Sequence, residues 1–465
     1  MKKESNYAKD KKPNIRAYAL DIIINVMEKG QYSDKALHAV LDSGVIPDNR
    51  DRAFLSRLCT GTVERLLTLD YIINCFASIK VNKMKPAIRN IMRMAAYQIF
   101  YMEQVPDSAA CNEAVKLAVS RGFKGLKGFV NGVLRAIVRG KDNVKYPLRS
   151  DGFILYASAR YSMPGWIVER FCNEYGMEVT EKILDAFING DKYLTLRCNI
   201  SKADVSGITG LLKADSAGID IKEGSFFKYA LRIKGFGSLS YLRAFKEGLV
   251  QVQDESSMLP AAIARINPGN TVIDLCAAPG GKTLHVADLL NGTGRVVSCD
   301  ISSNKTKLLY DNIKRAGFTN IEVYENDARV YRKEWEGMAD VVIADLPCSG
   351  LGVSGRKCDI KYKTKPSDIN ELAILQRKIL ENAARYVKPG GRLVYSTCTV
   401  THEENTGNYR WICDNLPFES EDIEEVLPEC LKGMTGHNGY IQVLPHMAGT
   451  DGFFVASFIR KTGRW

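Results

Sequence analysis

The sequence predicts an α/β protein: a doubly wound sheet domain at the C-terminal end, preceded by an all-α domain and a small α+β module. Three observations carry this. The chain has 465 residues, more than one hydrophobic core usually organises. Apolar residues recur at helical spacing through 14–140. From about residue 250, short apolar runs alternate with helical segments, the pattern of a mostly parallel sheet covered on both faces.

In the first part, Ala17, Leu20, Ile23, Ile24 and Met27 form one stripe. Ile88, Ile91, Met92, Ala95 and Ile99 form another, followed by Ala114, Leu117 and Ala118 and by Val130, Val133, Leu134 and Ile137. Gly30, Pro47, Pro86, Pro106 and Gly122 punctuate them. This predicts a helical bundle over 1–145, and the polar run KDNVKYPLRS at 141–150 reads as a linker. Residues 146–245 mix helical stretches with strand candidates at 194–199 and 227–233. Trp166 and Arg197 there are either RNA contacts or packing residues. In 246–465, strands are expected at 272–275, 296–299, 321–324, 341–344 and 393–395, then at 441–444 and 453–458.

Charge is unevenly placed. Residues 1–150 hold 26 Lys and Arg against 14 Asp and Glu, whereas the rest hold 38 against 39. A basic module beside a near-neutral one suits a polyanion docking surface, though a solvated basic face would look the same. No apolar stretch approaches the ~18 residues a membrane span needs. The N-terminal MKKESNYAKDKKPN is polar and unlike a secretory signal. Twelve cysteines without CxxC pairs suggest reduced thiols in a cytoplasmic protein and no metal site. A monomer is expected.

The first strand of the C-terminal domain leads into Asp274-Leu275-Cys276-Ala277-Ala278-Pro279-Gly280-Gly281-Lys282-Thr283. Paired glycines allow close backbone approach to a ligand, and the following helix start offers free amides. The run is not G-x-G-x-x-G, and a Walker loop would need glycine where Cys276 stands. Asp300 ends the second strand, where an acidic side chain accepts from ribose hydroxyls. Asn326-Asp327 ends the third and can hold an adenine edge. These features match a nucleoside cofactor with no phosphate to clamp, and S-adenosylmethionine is the natural candidate.

Cys348, in Asp345-Leu346-Pro347-Cys348, follows the fourth strand, and Cys398, in Tyr395-Ser396-Thr397-Cys398, follows the fifth. Carbon 5 of cytosine is a poor nucleophile until a thiolate adds at carbon 6. A second group must then remove the carbon 5 proton, and an acid or carboxylate must manage charge at N3. Cys398, Cys348 and Asp345 fit these roles, and Lys282 could favour a thiolate electrostatically.

Two resemblances sharpen this reading. Arg16-Ala17, the run from Ile91 to Tyr97, Val105-Pro106 with Asn112-Glu113-Ala114-Val115, and the run from Phe129 to Arg135 resemble the NusB family of RNA-binding helical domains. DLCAAPGGKT (274–283), DLPCSGLG (345–352), YSTCT (395–399), Glu403-Glu404-Asn405 and Asp451-Gly452-Phe453-Phe454 resemble the RNA 5-methylcytosine methyltransferases. The latter resemblance implies a Rossmann-like methyltransferase domain. Its S-adenosylmethionine contacts would come from Cys276, Ala277, Ala278, Pro279, Gly280, Gly281, Lys282, Asp300, Asp327 and Asp345. It also implies that Cys398 is the nucleophile and that Cys348 assists release. Together the two resemble bacterial 16S rRNA cytosine methyltransferases, which makes 16S ribosomal RNA the expected partner. The same chemistry on tRNA, and an RNA-binding or antitermination factor with an idle sheet, are the alternatives. The sequence departs from the methyltransferase pattern at Ser354-Gly355-Arg356-Lys357-Cys358-Asp359 and at Lys305, where arginines and a proline are usual. Those changes bear on RNA contacts, with Cys358 a bystander.

Overall fold

A computed structural model describes residues 13–190, 192–435 and 438–463. The polar stretch 1–12, read above as unlike a secretory signal, lies outside the described residues. Among those described, no helix is long and apolar enough to cross a membrane. The chain forms two compact units. One runs to Ile188 and also takes in Ser354–Lys363; the other begins at Asn189 and comprises the remainder.

The first unit is helical: α1 Ile15–Lys29, α2 Ser33–Asp42, α3 Asn49–Glu64, α4 Leu66–Phe76, α5 Pro86–Tyr101, α6 Asp107–Ser120, α7 Lys127–Gly140, α8 Phe153–Tyr161 and α9 Gly165–Asn189. Local signals set the ends of α1. Asn14 accepts from the Ala17 amide, and Gly30 takes the left-handed conformation that ends the helix. Leu20, Ile23, Ile91, Met92, Leu134 and Ile137, all from the expected stripes, are buried in one core. The polar run 141–150 does not end this unit. Beyond it, α8 returns to α4, where Thr68 Oγ1 donates to the Ala159 carbonyl (2.7 Å) and Ser162 Oγ accepts from the Leu67 amide (2.9 Å).

The second unit opens with β1 Leu194–Cys198, α10 Val205–Asp215, β2 Asp220–Glu223, β3 Ala230–Lys234, α11 Arg243–Lys246 and β4 Val250–Val252. These strands form an antiparallel sheet in the order β2-β3-β1-β4. Next come α12 Glu255–Ile263, β5 Thr271–Leu275, α13 Gly281–Leu290, β6 Arg295–Asp300, α14 Ser303–Ala316, β7 Ile321–Glu325 and β8 Ala339–Asp345. The chain leaves after Val353, forms the short α15 Ile360–Lys363 within the helical unit, and returns with α16 Pro366–Tyr386, β9 Val387–Thr397, α17 Thr406–Asn415, β10 Phe418–Ser420, β11 Tyr440–Val443 and β12 Phe453–Arg460. The large sheet has the order β10-β12-β9-β8-β5-β6-β7, with β11 on β12. Its five strands β5 to β9 are parallel, and β10, β11 and β12 are antiparallel additions. The apolar residues of β5, β6 and β8 are buried, as expected where helices cover both faces. Every strand expected from the sequence is present; β2, β4 and β10 are short additions that alternation did not reveal.

Two sequence readings are resolved by packing. Arg197 on β1 is fully buried, its Nε donating to Gln253 Oε1 (2.9 Å) and its Nη1 pairing with Asp288 of α13 (3.1 Å). It therefore ties the small sheet to the helix behind the glycine loop and does not face RNA. The run 354–363 belongs to the helical core. Asp359 accepts from the amide (3.1 Å) and hydroxyl (2.6 Å) of Ser33 at the start of α2. Buried Lys361 donates to the Glu64 carbonyl at the end of α3 (2.9 Å), where a helix carries partial negative charge. Cys358 lies buried beside the Thr60 carbonyl, at 3.7 Å. Trp166 sits partly buried in the first turn of α9.

Candidate active site

The five parallel strands aim their carboxyl ends at one edge, and the loops there carry the expected residues. After β5, Cys276 and Gly280 adopt positive φ, 60° and 110°, to turn the chain into α13. A Cβ at Gly280 would lie 2.7 Å from Leu309 Cδ1, so only glycine lets α14 approach this loop. Asp300 supports the turn from the end of β6, only 2% exposed. Its Oδ2 accepts from the Ala278 amide (3.0 Å), and its Oδ1 accepts from the Ile301 amide (2.7 Å) and pairs with Lys305 (3.0 Å). Three of the roughly four acceptor positions of the carboxylate are thus taken, leaving one on Oδ2. Asp327 forms an outer pair with Arg329 (2.6 Å), whose hydrogen bonds hold its carboxyl below the usual range. Asp274, fully buried, accepts from Thr283 Oγ1 (2.6 Å) through Oδ2 while Oδ1 has no partner. Burial pushes its carboxyl up to about 7.

Asp345, at the end of β8, pairs with Lys282 (2.7 Å) and accepts from Ser396 Oγ (2.8 Å). The Lys282 ammonium also donates to Ser257 Oγ (2.9 Å) and lies 5.3 Å from the Phe453 ring centroid. Its partners among the described residues are these, not a thiol, because the nearby carboxylate is the stronger acceptor. Lys282 thus orients Asp345, and any influence on the cysteines runs through that carboxylate.

The register of β8 on β9 sets Asp345 opposite Ser396. Three residues beyond the first and two beyond the second, Cys348 and Cys398 meet with their sulfurs 3.2 Å apart, both partly exposed. The Cys348 thiol is pushed well above its usual range by its hydrogen bond to Cys398, by burial, and by the charges of Cys398, Glu404 and Asp345. Either sulfur can be the donor in the hydrogen bond between them.

Beneath the cysteines lies a buried polar network that motif reading touched only as the run Glu403-Glu404-Asn405. Glu404 is 0% exposed, and Gln376, Thr399 and Asn405 are also buried. A lone acidic-amide run looks like a solvated helix start; only its place between two reactive loops marks it out.

The chain is similar to known proteins over nearly its whole length. Residues 261–459 match the family described as 16S rRNA methyltransferase RsmB/F, and residues 13–139 match the NusB family. The chain is 38% identical over 458 residues to a protein of Bacillus subtilis (strain 168) named probable ribosomal RNA small subunit methyltransferase B, covering 97% of this chain and 100% of that one. It is 33% identical over 453 residues to the ribosomal RNA small subunit methyltransferase B of Salmonella paratyphi C (strain RKS4594), covering 97% and 100%. The crystal structure of PH0851 superposes with a TM-score of 0.80 at 27% identity, over 97% of this chain and 100% of that one.

Proposed function

The chain belongs to the 16S rRNA methyltransferase RsmB/F family, with a NusB-family domain at its N-terminal end, and from that premise we propose that it transfers a methyl group from S-adenosylmethionine to carbon 5 of a cytosine in 16S ribosomal RNA. The residues present fit this cofactor. The lysines at the loop and after Asp300 are each paired among the described residues, Lys282 with Asp345 and Lys305 with Asp300, which suits a cofactor without phosphates. Asp300 keeps one acceptor position for a ribose hydroxyl, and the 276–282 loop with Asp327 and Asp345 would hold the remainder. When bound, S-adenosylmethionine supplies an electrophilic methyl group. The basic excess of the helical part supports docking of the rRNA backbone there.

One observation carries the mechanism: the 3.2 Å meeting of Cys348 and Cys398. In the reading proposed here the Cys348 S–H donates to the Cys398 sulfur across this contact and stabilises it as the attacking thiolate. The Cys398 sulfur bonds to carbon 6, and the electrons of the carbon 5–carbon 6 double bond move into the ring, making carbon 5 nucleophilic. The negative charge that addition places on N3 is met by a proton from water, and Asp345, fixed by Lys282 and Ser396, accepts from that N3–H and from the amino group. Once the Cys398 sulfur is a neutral thioether, the largest cause holding the proton on Cys348 is gone. Cys348 can then ionise, take the carbon 5 proton after methylation, and let the sulfur of Cys398 leave as thiolate.

Removing each thiol separates the roles. Cys398→Ala forms no bond to RNA and is inactive. Cys348→Ala adds and methylates but stalls, leaving a protein–RNA adduct that survives denaturing electrophoresis, and the double variant shows none. An adduct in Cys398→Ala and none in Cys348→Ala would reverse the assignment.

A further inference from the structure

We infer that the adjacent residues Glu404 and Asn405 are positioning residues that divide the two cysteine loops between them, Glu404 setting the releasing thiol and Asn405 the attacking one. The inference rests on the assignment of Cys398 to attack and Cys348 to release.

Glu404 meets four donors, three of them from or beside the Cys348 loop and the fourth, the Thr401 hydroxyl, from the segment after Cys398. Its Oε1 accepts from the Ser349 amide (2.8 Å) and Gln376 Nε2 (3.1 Å). Its Oε2 accepts from the hydroxyls of Ser349 (2.5 Å) and Thr401 (2.7 Å). Gln376 Nε2 also donates to the Pro347 carbonyl (2.8 Å). The residues before and after Cys348 are therefore both anchored on this carboxylate and its amide partner. Asn405 does the same for Cys398. Its Oδ1 accepts from Thr397 Oγ1 (2.5 Å), and its Nδ2 donates to the Thr399 carbonyl (3.0 Å) and to Gln442 Oε1 (2.7 Å). One hydroxyl contact joins the halves. Because Ser349 Oγ gives its proton to Glu404, Thr399 Oγ1 donates to it at 2.7 Å.

The chemistry of the side chains explains why each must be what it is. The two partners of Oε1 can only donate, whereas the two hydroxyls at Oε2 must reverse to accept from an amide, so Glu404→Gln loses the charge-assisted pull on Ser349 and Thr401. Both Nδ2 partners of Asn405 are acceptors, so a carboxylate there meets two oxygens. Glu404→Gln and Asn405→Asp keep size and burial while breaking one anchor each. Shifts of about an ångström in a reacting group can cost roughly 100-fold in rate, and here the cost should fall on different steps.

The test uses the full chain, S-adenosylmethionine and an in vitro transcript of 16S rRNA. Adduct formation is followed in a single turnover, and methyl-product release in multiple turnovers. Glu404→Gln is expected to form adduct within about threefold of the native rate but to release roughly tenfold or more slowly, so adduct accumulates on a denaturing gel. Asn405→Asp is expected to slow adduct formation itself roughly tenfold or more, with no accumulation. Equal slowing of both steps in both variants is what a merely structural role produces, and it overturns the inference. Calorimetric S-adenosylmethionine affinity and a thermal melt report folding. If Glu404→Gln does not fold, Ser349→Ala carries the same test, since it removes the bridging hydroxyl and keeps the amide bond to Glu404; native release in that variant overturns the inference. Cys348→Ala run alongside keeps the two readings apart. No adduct in Cys348→Ala sinks the thiol assignment, whereas adduct there with native release in Glu404→Gln sinks the positioning role alone.

Discussion

Replacing Asp300 by alanine tests the cofactor site most directly, because the geometry limits what this carboxylate can still do. Two amides and Lys305 occupy three of its acceptor positions, and the fourth lies on Oδ2, the oxygen facing the glycine loop. One charge-assisted hydrogen bond to a ribose hydroxyl is worth ~1.5–3 kcal/mol. Losing it should weaken S-adenosylmethionine binding by roughly 10- to 150-fold. Asparagine keeps an acceptor oxygen without the charge, so its loss should be near ~1 kcal/mol, or about fivefold. The expected order of affinity is native, then Asp300→Asn, then Asp300→Ala. Freeing the Ala278 amide also leaves a loop donor unmatched, which should appear in thermal melts of the ligand-free protein as lost stability. Titration calorimetry on all three proteins gives the affinities. An Asp300→Ala affinity within twofold of native would remove this residue from cofactor binding and leave it as a support for the turn.

Two stability predictions follow from buried charge. Arg197→Ala removes the cation from buried Asp288 but leaves it the amides of Ile200 and Ser201 and the Ser201 hydroxyl, so the cost should fall at or below the lower end of the ~3–5 kcal/mol for breaking a buried pair; urea denaturation showing under 1 kcal/mol would mean the pair does not join the sheet to α13. Asp274 titrates at about 7 in the folded chain, against ~3.9 when unfolded, so its contribution to stability is full below pH ~4 and is lost as pH rises toward 7. Asp274→Asn stays neutral throughout, so melts of the ligand-free protein from pH 5 to 8 should diverge in the variant's favour, by up to about 2.7 kcal/mol. Parallel curves would show that Asp274 is ionised when folded.

The sequence by itself determined what is local. Helical stripes such as Ile88 to Ile99 and the continuous apolar runs of β5, β6 and β8 report burial because periodicity is a property of adjacent residues. Strand ends were legible for the same reason, and with them Asp300, Asp327, Asp345, Cys348 and Cys398, each placed by the run just before it. Partners distant in the chain were not legible. Lys282 reads as a cation beside cysteines, yet it belongs to Asp345, because the carboxylate end of β8 faces the start of α13. Cys358 and Lys361 sit in a stretch that reads as part of the methyltransferase loops but are buried in the helical unit. Arg197 reads equally as an RNA contact or a packing residue, and burial beside Asp288 decides for packing. The two sulfurs, 50 residues apart in sequence, come within 3.2 Å only through the parallel register of β8 on β9. Glu404 becomes part of the site only because that register leaves buried donors from both loops facing one carboxylate, and a buried donor must find an acceptor.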